Sequence, residues 1–261
     1  MRTLLIQDIH LDSDALHQWL LWYEGQVDEV VFLGDFMDST THKLGDVRSA
    51  QSICRQVNRV LDKRGNTKIM ASNHDLQYWF DAMPKCGGYD PALQDVMRNL
   101  LPLHELQGML MLGFETQNWL ISHAGWKDNE LSVLQDVNLG MQRLTEQALT
   151  ALSMGIVQPI LHYGKDRGGT AAFGGPVTCD WASLPLSEHF NQVVGHTFGA
   201  LPKTRGQHSF THKCNVCIDT GFDQVYWIED GTLKTKRHDV KNPKLKDNAW
   251  VIFKSGGLPW V

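Results

Sequence analysis

Short apolar runs recur along the chain, and each has the length and composition of a buried strand. Helical patterns separate the first three runs: SDALHQWLLWYEG, with Ser13 or Asp14 as its capping residue, and DVRSAQSICRQVNRVLDKRG, which ends at Gly65. Strands and helices in alternation predict a layered α/β fold built on a sheet. The five runs are TLLIQDI (3–9), EVVFLGD (29–35), TKIMAS (67–72), WLISHA (119–124) and NQVVGHT (191–197).

The second half of the chain adds a helical stretch and further strands. Residues 129–162 have a helical pattern without an obvious sheet element, which predicts a helical cap inserted into the fold. A glycine-rich loop, GKDRGGTAAFGGPV (164–177), follows it. CNVCIDT and QVYWIED are strand patterns, and Asp230-Gly231 after the latter predicts a hairpin turn. No linker divides the sequence, so residues 1–261 are expected to form one domain.

Charge and composition exclude several classes of protein. The formal net charge of −5 gives no electrostatic footprint for duplex nucleic acid. No apolar run approaches the roughly 20 residues that a membrane span needs, and the N-terminal segment does not resemble a signal peptide. We therefore expect no membrane partner and a cytoplasmic location. The odd number of cysteines, five, argues against a disulfide framework.

One cysteine pair invites a zinc interpretation, which its spacing does not support. Cys214 and Cys217 form a CxxC with His208 and His212 just upstream, but this is not the spacing of a zinc finger. The segment also has the pattern of a strand, in which residues three apart face opposite sides of the sheet. We interpret it as a strand.

Each of the five apolar runs ends in side chains that can bind a metal ion. Core packing alone would scatter such groups along the helices and loops as well. In open α/β sheets, functional sites form at the carboxyl ends of the strands, so five endings of this kind in order predict a single site. The endings are Asp8 and His10, Asp35 after Gly34, Asn73-His74-Asp75, His123, and His196 after Gly195. Asp75 is expected only to cap the short helix that follows.

These side-chain types suit a pair of divalent cations. Two such ions lie about 3.5–4 Å apart in hydrolytic centres and need oxygen and imidazole ligands from several elements. The pair activates a water and clamps a phosphoryl oxygen, whereas the leaving group needs a separate proton donor. A histidine outside the ligand set, oriented by a carboxylate, is the natural candidate for that donor.

Taken together, DIH, GDFMD, SNHD, HAG and GHT resemble the ordered motifs of the calcineurin-like metallophosphoesterase superfamily. The resemblance covers roughly residues 3–228, and HAG, GHT and NVCIDTG (215–221) are similar to the phosphoprotein phosphatase branch. That branch includes bacterial and phage protein phosphatases, diadenosine tetraphosphatases and polynucleotide phosphatases. The resemblance implies a layered α/β/β/α sandwich with a helical insertion.

The resemblance also implies a role for each motif residue. His74 would donate a proton to the leaving oxygen, and Asp38 would orient its ring. Asp219 would support the site without binding a metal. The implied cofactors are two divalent ions, with Mn²⁺ preferred and Fe or Zn²⁺ also suited to the mixed ligands. Asp8 and His10 would bind the first metal, Asp35 would bridge both, and Asn73, His123 and His196 would complete the second site.

Three positions depart from the family pattern. Ser72 replaces the usual glycine of the third motif, and the first motif lacks the glycines that flank it in the phosphatase branch. Ser39-Thr40 follow Asp38, whereas protein phosphatases carry Arg-Gly there. The arginine that would grip the substrate phosphate is thus missing from its place, and Arg167 in the glycine-rich loop is a candidate replacement because its guanidinium can fork onto phosphate.

The implied activity is metal-dependent hydrolysis of a phosphomonoester or phosphoanhydride, by attack of a metal-bound hydroxide with His74 as general acid. The substrate would be a phosphoprotein, a nucleotide or another phosphorylated small molecule. A polynucleotide-end phosphatase or phosphodiesterase is the alternative, although Phe198 stands where phosphodiesterase relatives carry a second histidine. A catalytically silent metal-binding scaffold is the second alternative, but it has no need of His74 beside Asp38. The sequence leaves the substrate, the physiological metal and the oligomeric state open.

Overall fold

Two β-sheets form the centre of the molecule. The computed structural model describes residues 1–38, 46–63, 65–131, 136–206 and 213–238, and the backbone of residues 250–254. The strands within these ranges are β1 (Arg2–Ile6), β2 (Glu29–Phe32), β3 (Thr67–Met70), β4 (Leu110–Met111), β5 (Phe114–Thr116), β6 (Trp119–Ile121), β7 (Asn191–Val194), β8 (Lys203–Arg205), β9 (Asn215–Cys217), β10 (Gln224–Glu229), β11 (Thr232–Arg237) and β12 (Trp250–Lys254).

The strand order brings the carboxyl ends of the early strands together. The first sheet has the order β12-β11-β10-β1-β2-β3-β4, and the second has the order β5-β6-β7-β9-β8. Parallel pairing joins β1 through β4 in the first sheet and β6, β7 and β9 in the second. Parallel strands end at the same edge of a sheet, and a hydrogen bond from His123, after β6, to the Leu33 carbonyl, after β2, joins the two edges.

Helices flank the sheets and pack through their apolar faces. α2 shows the pattern clearly, because its buried residues are spaced along one helical face: Ala50, Ile53, Cys54, Val57 and Val60. α1 begins after Asp12, whose carboxylate accepts a hydrogen bond from the Ala15 amide, so its capping residue is Asp12 rather than Ser13 or Asp14. The helices are α1 (Ser13–Tyr23), α2 (Val47–Lys63), α3 (Asn73–Trp79), α4 (Pro91–Leu100), α5 (Asp128–Leu131) and α6 (Val137–Ser153), with short 3₁₀ helices at Glu24–Gln26, Leu103–Leu106, Pro159–Leu161 and Lys165–Arg167.

The two sheets share one hydrophobic core. Leu4 and Val31 of the first sheet and Trp119 and Val193 of the second are fully buried in the same cluster of side chains. The Trp119 indole also donates a hydrogen bond to the Gly231 carbonyl across the sheets. Full burial of such a side chain stabilises the folded state by about 1.5–3 kcal/mol, so the facing sheets hold the strand ends in place.

The predicted helical insertion lies between β6 and β7. It contains α5, α6 and the Pro159–Leu161 helix, while residues 132–135 lie outside the described ranges. α6 packs beside β4 and β5, where the Thr145 hydroxyl accepts a hydrogen bond from the Leu112 amide and the Asn138 side chain accepts one from the Glu115 amide. That the insertion acts as a cap, and that residues 1–261 form one domain, stay predictions.

All five apolar runs contain a strand, and the predicted hairpin is present. Each strand ends before the polar motif that follows it. The motif residues lie in the connecting turns, except for Asn73-His74-Asp75, which form the first turn of α3. β10 and β11 pair antiparallel around Asp230 and Gly231, which have φ values of 50° and 73°. Among the described residues, no helix has both the length and the apolar character needed to cross a bilayer. The cytoplasmic location stays a prediction.

Candidate metal centre

Four of the predicted site residues lie in turns whose backbone is held in an unusual conformation. Eight described residues other than glycine have a positive φ, and four of these are predicted site residues: His10 (44°), Asp35 (52°), Asp38 (55°) and His196 (65°). A side chain in the left-handed region costs roughly 1–2 kcal/mol, so the surrounding structure must enforce it. Such residues cluster at functional sites.

The first group of candidate ligands consists of Asp8, His10 and Asp35. One ligand atom from each lies within 4.8 Å of the others. His10 Nε2 lies 3.6 Å from Asp35 Oδ2, while His10 Nδ1 donates a hydrogen bond of 3.1 Å to the Asp38 carbonyl. The hydrogen bond at Nδ1 leaves the lone pair of Nε2 facing Asp35.

The second group surrounds His123, which is fully buried. Its Nδ1 donates to the Leu33 carbonyl over 2.8 Å, so its Nε2 carries a lone pair. This Nε2 atom lies 3.1 Å from Asn73 Oδ1, 3.0 Å from His196 Nδ1 and 3.5 Å from Asp35 Oδ1. Acceptor atoms at these distances repel one another unless a proton or a cation lies between them.

Buried atoms without partners show that this donor set fits metal ions. Asp8 Oδ1, Asp35 Oδ1 and His196 Nε2 are buried and have no hydrogen-bond partner. Buried polar atoms are nearly always paired, so the two unpaired carboxylate oxygens call for a cation. Carboxylate, amide and imidazole ligands suit Mn²⁺, Fe or Zn²⁺. The residues of each group therefore fit a divalent ion, and Asp35 belongs to both groups.

The protonation states of these groups favour metal binding. Burial lowers the pKa values of His123 and His196, so both rings are neutral near pH 7. Burial and the neighbouring Asp219 and Asp35 raise the pKa of Asp8, which shows that negative charge is crowded here. Burial alone would also raise the pKa of Asp35, but the four surrounding histidines, His123 first, hold it below its ordinary value. A cation would relieve the crowding of carboxylates.

Ser72 and Asp75 hold the Asp35 turn in place. Ser72 caps α3, and its hydroxyl oxygen accepts a hydrogen bond of 2.9 Å from the Asp35 amide. Asp75 is buried, and its carboxylate accepts hydrogen bonds from the amides of Phe36 (2.8 Å) and Met37 (3.4 Å) and from the Ser72 hydroxyl (2.9 Å). The sequence suggested that Asp75 merely caps a helix. That prediction is wrong, because Ser72 caps the helix and Asp75 secures the turn.

Gly195 of the fifth motif is required by the position of Asp8. A Cβ at Gly195 would lie 2.2 Å from Asp8 Oδ1, a distance that no real Cβ contact allows. The next amide, that of His196, donates a hydrogen bond of 2.7 Å to Asp8 Oδ2. The absence of a side chain at Gly195 thus lets the Asp8 carboxylate reach the backbone of the second sheet.

His74 and Asp38 form a pair beside the candidate ligands. His74 Nδ1 lies 2.5 Å from Asp38 Oδ1, and the His74 ring is edge-on to the His10 ring with centroids 5.3 Å apart. The other Asp38 oxygen accepts hydrogen bonds from Gln77 Nε2 (2.7 Å) and the Tyr78 hydroxyl (3.0 Å). The carboxylate is fully buried and can neither turn nor pair elsewhere.

The surroundings of His74 favour a protonated ring. Burial opposes the charge, but the Asp35 carboxylate and the Asp38 hydrogen bond outweigh it and raise the pKa of His74 to about 10. Cations bound to Asp35 would offset its share of this shift. The Asp38 hydrogen bond remains in either case.

Arg167 lies on the wall of the cavity that opens onto these residues. The cavity has a volume of about 670 Å³, and His10, Asp35, Asn73, His74 and His196 also line it. One guanidinium nitrogen of Arg167 contacts Asp180 Oδ2 at 2.8 Å and donates to the Thr197 hydroxyl at 3.0 Å. The predicted site residues are thus brought together, while their roles stay predictions.

Other predicted features lie beside the site or outside the described residues. Asp219 is buried near Asp8 and His10, and burial raises its pKa to about 6, with the neighbouring His10 acting in the opposite direction. Ser39-Thr40, His208 and His212 fall outside the described ranges. The five cysteines are free thiols, and Cys217 lies in β9, which confirms the strand interpretation of this segment.

Sequence reasoning missed three side chains that touch the site residues. Gln77 and Tyr78 follow His74 by three and four positions on α3, so the helical period would have placed them on the same face. Cys86 lies in the loop before α4, and its sulfur accepts a hydrogen bond from Asn73 Nδ2. No local sequence signal marks this cysteine.

Solved structures match the chain over nearly its whole length, although neither a family model nor a curated protein sequence matches it. A cold-active protein tyrosine phosphatase superposes with a TM-score of 0.60 and 14% identity, over 97% of this chain and 79% of that one. A cold-active protein-tyrosine phosphatase from a psychrophilic Shewanella species gives a TM-score of 0.55 at 14% identity, over 91% and 78% of the two chains. The chain has the fold of these two phosphatase structures.

This fold, with two sheets flanked by helices, is the layered α/β sandwich that the motif resemblance implied, so the predicted fold class is confirmed. A metallophosphoesterase from Sphaerobacter thermophilus also matches, at a TM-score of 0.44 and 14% identity over 92% and 89% of the two chains, a value too low to add to the assignment. Structural superpositions at such low sequence identity establish the fold alone and leave the substrate open.

Proposed function

We propose that this protein is a metal-dependent phosphoesterase that hydrolyses a phosphomonoester or a phosphoanhydride. One observation carries the proposal: the acceptor atoms of six predicted ligands converge beside a separate His74–Asp38 pair. A purely structural metal site needs the ligands alone. A histidine that is held by a buried carboxylate and faces the cavity adds what a hydrolase needs, a proton donor.

The ligand set would hold two ions with Asp35 between them. Asp8 and His10 lie on one side of Asp35, and Asn73, His123 and His196 lie on the other. Bound there, a pair of divalent cations lowers the pKa of water and draws charge from the phosphoryl oxygens. Mn²⁺ is our first choice, with Fe and Zn²⁺ as alternatives.

His74 would protonate the leaving oxygen. Asp38 Oδ1 accepts the hydrogen bond from His74 Nδ1, so the opposite ring nitrogen, Nε2, is the one that can donate a proton to the substrate. Gln77 and Tyr78 fix the far oxygen of Asp38 and so keep the ring in one orientation. This arrangement supports an enzyme over a catalytically silent scaffold, which gains nothing from a donor held in this way.

Arg167 would bind the phosphate. Asp180 and Thr197 both contact the same guanidinium nitrogen of Arg167. They place the guanidinium group on the cavity wall near His196. A guanidinium retains other N–H groups for a phosphate oxygen in this position. The cavity volume of about 670 Å³ suits a phosphorylated side chain or a nucleotide.

The substrate is best found with a panel at fixed Mn²⁺. The panel contains a phosphoserine peptide, a phosphotyrosine peptide, diadenosine tetraphosphate, mononucleotides and a 3′-phosphorylated oligonucleotide. Phosphotyrosine belongs in the panel because two of the three structures reported above are named protein tyrosine phosphatases. We expect hydrolysis of at least one compound, detected as released phosphate for the monoesters and as released nucleotides for diadenosine tetraphosphate. An Arg167→Ala variant should raise KM more than it lowers kcat.

Two results would contradict the proposal. Hydrolysis of no phosphate compound with any divalent ion, in a protein that binds two ions, would favour the scaffold. Faster cleavage of bis-p-nitrophenyl phosphate than of p-nitrophenyl phosphate would favour a phosphodiesterase.

A further inference from the structure

Cys86 lies outside every motif, yet it contacts a candidate metal ligand. The residue belongs to the loop between α3 and α4 and lines the cavity of the candidate metal centre. Its sulfur accepts a hydrogen bond of 3.2 Å from Asn73 Nδ2 and lies 3.0 Å from the Tyr163 hydroxyl. The thiol thus joins the third motif to the segment that leads into the glycine-rich loop.

The backbone around Cys86 is fixed by the same helix that carries the proton donor. The Cys86 backbone amide donates a hydrogen bond of 2.7 Å to Gln77 Oε1. The Nε2 atom of the same Gln77 side chain donates to Asp38 Oδ2. The neighbouring Lys85 Nζ donates a hydrogen bond of 2.7 Å to the Gln77 carbonyl. The position of the sulfur is therefore set by α3 and does not depend on a bound metal.

The orientation of the Asn73 amide decides whether Asn73 is a ligand. An amide can present either its oxygen or its NH₂ group to the site, and only the oxygen binds a cation. His123 Nε2 carries a lone pair 3.1 Å from Asn73 Oδ1. Without a metal, a rotated amide would donate to that lone pair and gain a hydrogen bond. An acceptor on the opposite side is needed to keep the NH₂ group away from His123.

From this geometry we infer that Cys86 is a positioning residue that accepts from Asn73 Nδ2 and thereby aims Asn73 Oδ1 at the second metal. The inference rests on the proposed function only in taking Asn73 as a metal ligand. Partners of this kind typically contribute 10- to 100-fold to metal affinity. Removing the sulfur should weaken the second site and leave the first site, which lacks Asn73, nearly unchanged.

The test is a calorimetric Mn²⁺ titration of the purified full chain, which needs no substrate. We expect Cys86→Ala to lower the affinity of the second site by about 10- to 100-fold. Cys86→Ser, which keeps an acceptor and nearly the same volume, should recover most of the loss. Cys214→Ala is the matched control, because it removes a buried thiol at the edge of β9 and should bind both ions as the wild type does.

A double-mutant cycle separates orientation from other effects. In an Asn73→Ala background no amide remains to be oriented, so Cys86→Ala should change the affinity by less than about twofold. A further large loss in that background would show that Cys86 acts on the metal by another route. Equal affinities for the wild type and Cys86→Ala, or equal losses for Cys86→Ser and Cys86→Ala, would overturn the inference.

Cobalt substitution distinguishes a positioning residue from a ligand. A thiolate bound to Co²⁺ gives an intense near-ultraviolet charge-transfer band, so the wild type should lack this band. Its presence in the wild type and loss in Cys86→Ala would make Cys86 a ligand and overturn the positioning role. Because these readouts are binding and absorbance, an inactive protein would refute the proposed function and leave this inference standing.

Discussion

Single residues in this protein adopt backbone conformations that their side chains disfavour, and they do so where ligands converge. His10, Asp35, Asp38 and His196 all have a positive φ. Leu11 follows His10 with a φ of 67°, at one of the positions where the phosphatase branch carries the flanking glycines that this sequence lacks. In the Asp35 turn, backbone amides donate hydrogen bonds to the side chains of Ser72 and Asp75, so the strain there persists without glycine.

His74→Asn tests the proton donor. We expect kcat to fall by about 10²- to 10⁴-fold, because the leaving oxygen then departs without a proton. The loss should be larger for a phosphoserine peptide than for p-nitrophenyl phosphate, whose leaving group is stable as an anion. The measurement is steady-state kinetics together with metal analysis, which should still find about two ions per chain. Loss of metal, or equal losses on both substrates, would show that His74 has another role.

Gly34→Ala tests the packing of the Asp35 turn. Gly34 has a φ of 99°, and a Cβ there would lie 2.6 Å from the Ser72 Cβ and 2.8 Å from the Met70 carbonyl oxygen. We expect the free energy of unfolding to fall by about 2 kcal/mol or more, since strain and overlap add.

Urea denaturation measures this change, and Gly25→Ala is the matched control. A Cβ at Gly25 meets no atom within 4 Å, so that variant should change the unfolding free energy by less than about 0.5 kcal/mol. Similar stabilities of the two variants would contradict this account of the turn.

At the scale of elements, the sequence predicted the strands that lie in the middle of the sheets. Buried parallel strands are apolar on both faces, so β1, β2, β3, β6 and β7 appear as continuous apolar runs. β5 (FET) and β8 (KTR) escaped prediction because they are short and largely polar, and β4 (LM) because two residues are too few to form an apolar run. The N-terminus of α1 and the role of Asp75 depend on which side chain accepts a hydrogen bond from which backbone amide. The spacing of residues in the sequence does not determine these partners.

The candidate site was predictable to a similar degree. The ligands follow apolar runs at fixed positions, so local patterns mark them. Gln77 and Tyr78 would have followed from the helical period, once His74 was known to face Asp38. The contact of Cys86 with Asn73 joins a loop to the first residue of α3 through the tertiary fold, and no sequence pattern near Cys86 predicts it.

Glu229→Gln tests the charges that link three strands of the first sheet. Glu229 of β10 accepts hydrogen bonds from Lys234 of β11 (2.7 Å) and from Arg2 of β1 (2.5 Å). These bonds, the one from Lys234 first, lower the pKa of Glu229 from 4.5 to about 2. A lowered acid pKa stabilises the folded state above the ordinary value of 4.5 and loses this effect as the pH falls toward 2.

We therefore expect Glu229→Gln to lower the free energy of unfolding at pH 7 by about 1 kcal/mol, a modest value because the side chain is 22% exposed. Urea denaturation of both proteins from pH 7 to pH 3 measures the difference, which should shrink below pH 4.5. A difference that stays constant or grows on acidification would contradict the assignment.

At the scale of the whole molecule, two sheets bring together residues that are far apart in the sequence. Asp8, Asp35 and Asn73 follow strands of the first sheet, while His123 and His196 follow strands of the second. Neither sheet alone supplies both groups of ligands. The shared core thus fixes the distance between the two candidate metal positions, and the cavity opens where the strand ends meet.

The most direct test of the account is p-nitrophenyl phosphate hydrolysis measured against the number of Mn²⁺ ions bound per chain, in the wild type and in Asp35→Asn. We predict that the rate rises with metal and reaches its plateau at about two bound ions, because Asp35 lies between the two groups of ligands. The Asp35→Asn protein should stay at the rate of the metal-free wild type. No hydrolysis by a wild-type protein that holds two ions, or equal rates for the two proteins, would contradict the central claim.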